Sequence, residues 1–139
     1  MQLQDKLSNS LQTMVHKDGI LIFRPALRAE WRNWLSDNGP AGKSVWVVIA
    51  NKQSRVPGIS YSEAVEEALC FGWIDSKANK FDADGYLLLF THRNPKSRWS
   101  ALNRERVEKL TATGQMTPAG QALIDIAKSS GKWETEEKE

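Results

Sequence analysis

The chain has one cysteine, Cys70, and two histidines, His16 and His92, in 139 residues. A single thiol excludes an internal disulfide and any multi-cysteine metal centre. Histidines so far apart argue against a zinc site, and no cofactor fingerprint is present. No apolar run approaches the ~18 residues of a membrane span; the longer ones are short pieces such as Tyr86–Phe90. The N-terminus has no basic stretch ahead of an apolar core, so nothing marks it for secretion. These absences fit a cytoplasmic protein with no membrane span, and they leave the oligomeric state open.

Charge of one sign is also scarce, with 19 basic against 17 acidic residues. What imbalance exists is local. Arg93, Lys96, Arg98, Arg104 and Arg106 face one acid, Glu105, within 14 residues, whereas the end from Lys132 to Glu139 holds four glutamates against two lysines. A basic segment of this kind favours an anionic partner or is simply a solvated helix start.

Leu3, Leu7, Leu11 and Met14 fall at helical spacing, so residues 1–18 read as an amphipathic N-terminal extension. A single α+β domain follows over 19–133, and 134–139 form a charged tail. Ile20–Phe23 is a short strand ended by Pro25. Leu27, Trp31, Trp34 and Leu35 make the apolar stripe of a helix near 26–37. Val45–Ala50 is a central strand. Ser60 and Glu63 form a capping box for a helix over 61–71, which buries Val65, Ala68 and Leu69 and ends at Gly72. Trp73–Phe81 and Tyr86–Arg93 form a hairpin around Asp82-Ala83-Asp84-Gly85. Ser97 or Ser100 caps a helix with Leu102, Val107 and Leu110 on one side. Thr117-Pro118 opens the last helix. Hairpin-paired strands with clustered helices predict an α+β fold with a mainly antiparallel sheet flanked by helices.

The segments AEWRNWL, SYSEAVEEALCFGWIDSK, RNPKSRWSALN and GQMTPAGQALIDIAKSSGKW resemble the bacterial YdeI/OmpD-associated (bacteriocin-protection) family of the YjbR/CyaY-like superfamily. The resemblance covers residues 20–133. It implies a YjbR/CyaY-like fold, a bacterial cytoplasmic setting linked to stress or antimicrobial-peptide protection, and no established enzymatic activity. Many members continue into a further helical C-terminal region, and residues 1–18 exceed the usual short leader.

Candidate ligand-binding residues concentrate between Trp73 and Asn103. Trp73 and Asp75 stand at i, i+2 on a strand, so they share a face where an indole could stack and a carboxylate accept; Lys77 extends that face. Arg93, Arg98, Trp99, Ser100 and Asn103 bring guanidinium forks to a helix N-terminus, an arrangement suited to an anion. Each also has a plain structural role, as core indole, helix staple, cap or solvated charge. Cys70 lies near a helix C-terminus, where the dipole disfavours a thiolate, so it is expected to be buried and inert. No motif pairs a nucleophile with a base. The expectation is therefore a non-enzymatic protein that binds a small anionic or aromatic ligand. A nucleic-acid-binding module using Arg93–Arg106 and a protein-interaction factor are the alternatives.

Overall fold

Six consecutive apolar residues, Val45–Ala50, form strand β3 at the middle of the sheet, and both of their faces are buried. The computed structural model describes residues 16–39 and 42–134. The other strands are β1 (His16–Lys17), β2 (Ile20–Phe23), β4 (Trp73–Asp82) and β5 (Gly85–His92). They lie in the order β1-β2-β3-β5-β4. All pairings are antiparallel except β2 with β3, which run parallel across the crossover helix α1 (Arg28–Asn38). Three further helices follow: α2 (Tyr61–Cys70), α3 (Ala101–Ala112) and α4 (Pro118–Ser130). The fold is α+β, as the sequence predicts.

All four helices contribute to one core, on the sheet face formed by Val45, Val47, Ile49, Leu88, Phe90 and Trp73. The opposite face carries a second cluster of Ile22, Trp46, Val48, Leu87 and Leu89. Three helix starts are those the sequence specifies. Ser60 and Glu63 make both bonds of the capping box, Ser100 caps α3, and Thr117 caps α4 with Pro118 in its first turn. Gly120 lets α4 approach the end of α2: a Cβ there would stand 2.5 Å from the Cys70 carbonyl oxygen.

Three expectations are corrected. Residues 16–18 are not helical, because Asp18 and Gly19 take φ of 57° and 77°. Two adjacent left-handed residues make the turn of a tight hairpin, which pairs Lys17 with Ile20. The rest of the predicted N-terminal helix, residues 1–15, lies outside the described residues, as does the predicted tail beyond Glu134. Leu27 is the N-cap of α1 and is 63% exposed, so the apolar stripe narrows to Trp31 and Leu35 with Trp34 half-buried. Leu102, in the first turn of α3, also faces solvent.

Candidate anion-binding site

The indoles expected to receive a ligand are in the interior. Trp73 has no exposed surface; its ring centre lies 4.2 Å from that of His92 and 5.6 Å from that of Trp34. Trp99 is 3% exposed and packs on Trp133 at 5.0 Å, while the Trp99 backbone N–H donates to the Lys132 carbonyl. Arg93 is buried as well, with its guanidinium 3.8 Å above the Trp99 ring. Its Nη2 donates to the Arg98 carbonyl at 2.8 Å. Burial pulls the Arg93 pKa down to about 10. Trp73, Arg93 and Trp99 are thus packing elements, and none presents a free face to a ligand. Amphipathic side chains are ambiguous in sequence, and here the apolar body decides.

Lys77 does not extend the face of Asp75. Asp75 pairs with Phe90 and Ala78 with Leu88, so the strand uses three residues where its partner uses two. This bulge inverts the alternation. Asp75 stays on the helix-covered face, and the Lys77 ammonium lies 5.8 Å from the Trp46 ring, among the residues of the opposite cluster. Arg98 is exposed and enters the fold through its carbonyl. Ser100 accepts from the Asn103 N–H at 3.1 Å, which fixes the start of α3.

Two predicted residues, Asp75 and Asn103, do converge, through two that were not predicted. The Tyr61 hydroxyl, at the first position of α2, donates to Asp75 Oδ2 at 3.2 Å. The Arg106 guanidinium lies 5.8 Å from the Tyr61 ring centre, and its Nη1 donates to Asn103 Oδ1 at 2.8 Å. Asn103 and Arg106 are three residues apart on α3 and so share a face. Tyr86 on β5 completes the group electrostatically: burial and then the Asp75 charge raise its pKa, and both act on Tyr61 in the same way. The two phenols therefore stay neutral and able to donate. The sequence does contain the signal for Arg106, in its spacing from Asn103.

Arg106 differs from Arg24, Arg28 and Arg32. Arg24 pairs with Asp82, Arg28 with Glu66 and Glu67, and Arg32 with Glu67. Arg106 is held by a neutral amide and an aromatic ring, and no carboxylate among the described residues lies within ion-pair distance of it. With Asn103 Oδ1 turned to Arg106, the Asn103 amide N–H groups are left to donate elsewhere. Arg106 and the Asn103 amide thus group a cationic and a neutral donor at a half-buried surface, while the single Tyr61 proton is already given to Asp75. Among the described residues, no three of His, Cys, Asp or Glu are arranged to hold a metal ion.

The model of a domain of unknown function, DUF8412, matches residues 23–123. The chain belongs to this family. The matched span includes Tyr61, Asp75, Tyr86, Asn103 and Arg106, and it leaves out the β1–β2 turn and Trp133. No curated protein and no solved structure matches the chain. For this DUF8412 member, the geometry of its side chains is therefore the basis for a functional reading.

Proposed function

We propose that this DUF8412 member is a non-enzymatic binding protein for a small carboxylate or phosphate, held by Arg106 and Asn103 beside Tyr61. The observation that carries this reading is the setting of Arg106, oriented by Asn103 at 2.8 Å and paired with no acid among the described residues. A guanidinium fork fixed in this way meets a planar or tetrahedral anion with two parallel N–H donors. Asp75 orients the Tyr61 hydroxyl without neutralising Arg106 directly. This role accords with the resemblance to YdeI/OmpD-associated proteins and with a stress or antimicrobial-peptide protection setting, which we put forward on that resemblance alone.

The test is equilibrium titration with inorganic phosphate and with malonate. Arg106→Gln should weaken binding about 10- to 100-fold, the range of a charge-assisted hydrogen bond, whereas Arg98→Ala should leave it within about twofold. The opposite ranking refutes the site. Nucleic-acid binding is the weaker reading, since Arg93 of the basic run is stacked on Trp99. A backbone-tracking surface with about five contacts would lose affinity with salt at a log-log slope of roughly −3 to −5, against about −1 for one guanidinium.

A further inference from the structure

The sheet is apolar on both sides. Along β5, Leu87, Leu88, Leu89 and Phe90 are all buried, as are Val45–Ile49 of β3. A sheet with one face in water would instead alternate apolar and polar residues. The face opposite the helices carries Ile22, Trp46, Val48, Leu87 and Leu89, none more than 8% exposed. Register joins them into one patch: Ile22 stands beside Trp46, Trp46 beside Leu89, and Val48 beside Leu87. All of these residues come from strands, and no described helix contributes to the patch. The ammonium of Lys77 lies 5.8 Å from the Trp46 ring centre. One lysine stem can shield an edge of such a patch but not its width.

The chain itself supplies a cover of matching shape. On a helix, Leu3, Leu7, Leu11 and Met14 fall within an arc of about 80°, and Asp5, Asn9 and Gln12 fall on the opposite side. Residues 3–14 as a helix span about 18 Å. The outer strands of a five-stranded sheet are separated by about 19 Å. The segment joins the sheet at β1, and there the Trp46 indole N–H donates to the Lys17 carbonyl at 3.3 Å, which ties that strand to the patch. A segment attached so close to the patch meets it at high effective concentration.

We propose that residues 3–14 form an amphipathic helix that lies across this face and seats its leucine stripe on the patch around Trp46. The sheet is then the middle of three layers, with α1 to α4 on one side and the N-terminal helix on the other. Asp75 of the anion site stands on the face covered by α1 to α4, so the N-terminal helix leaves that site open, and this inference does not rest on it.

The test is the nuclear Overhauser spectrum of the full chain carrying ¹³C-labelled methyl groups. Contacts are expected from the Leu7 and Leu11 methyls to the Leu87 and Leu89 methyls and to the Trp46 ring. Absence of these contacts in the wild-type protein overturns the proposal. Contacts seen only between differently labelled copies also overturn it, since they assign the face to a second copy. Hydrogen exchange of the Trp46 indole N–H gives an independent readout. Leu7→Ala combined with Leu11→Ala keeps the helix-forming tendency of the segment while removing its grip, and should speed that exchange about tenfold or more. Asn9→Asp combined with Gln12→Asp, on the opposite side of the same helix, should change it by less than about twofold. Equal exchange rates in the two double variants overturn the proposal.

Discussion

The Glu67 carboxylate, 2% exposed, accepts a hydrogen bond from the Arg32 guanidinium at 2.9 Å and a second from Arg28 Nε. Arg28 also reaches Glu66 at 2.7 Å, and Arg32 donates to the Gln115 carbonyl at 3.0 Å. One buried acid thus ties α1 to α2, and Arg32 extends the tie to the loop before α4. Glu67 sits on the buried face of α2 among Ala64, Val65, Ala68 and Leu69, where an unpaired charge would be untenable.

Glu67→Ala should therefore be strongly destabilising. Breaking a buried pair costs roughly 3–5 kcal/mol. The Arg28 and Arg32 side chains keep about a third of their surface in water, which places the loss near the lower end of that range. Urea unfolding measures it, and a loss under about 1 kcal/mol would show that the network is not a stabilising element.

Cys70 should be inert in the native state. Burial, reinforced by the nearby Glu67 charge, pushes its thiol up to about 11 from an ordinary value of 9.0. Between those values the unfolded chain has lost a proton that the folded chain retains. The contribution is therefore complete below pH 9 and disappears as pH rises through 11. Stability of the wild type relative to Cys70→Ala should fall over that window. Native thiol labelling at neutral pH should be slow and should become fast in denaturant. Rapid native labelling would contradict the buried, protonated thiol.

Trp99 and Arg98 are neighbours with opposite expected phenotypes. Trp99 joins Arg93 above its ring to Trp133 beside it, so Trp99→Ala should cost about 3–5 kcal/mol. Arg98→Ala should change stability by no more than about 0.5 kcal/mol, because its guanidinium is exposed. Thermal or urea denaturation of the two variants distinguishes them. Equal losses would mean that the Arg93–Trp99–Trp133 stack is not the anchor of this corner.

The parts of the fold that were legible in the sequence are those written locally. Ser60 with Glu63, Ser100, Thr117 with Pro118, and the β-branched run of β3 each specify their own element within a few residues. The Asp18-Gly19 turn is equally local, but the leucines spaced helically ahead of it outweigh it in a reading by periodicity. Other features depend on contacts distant in sequence. The bulge after Asp75 follows from pairing with β5, and it alone moves Lys77 to the other face. Tyr61 meets Asp75 across 14 residues, from helix to strand. The indoles of Trp73 and Trp99 were ambiguous for a related reason: a tryptophan beside polar residues has the same spacing whether its ring faces inward or outward.

The most direct measurement of the anion site is side-chain NMR of Arg106 and Asn103 during titration with inorganic phosphate. The account predicts saturable shifts of the Arg106 guanidinium N–H and Asn103 amide N–H cross-peaks with a single common affinity, lost in Arg106→Gln. Arg98 and Arg93 cross-peaks should stay in place. Shifts confined to Arg98 and Lys96, or phosphate-induced shifts that persist in Arg106→Gln, would contradict the assignment of the site.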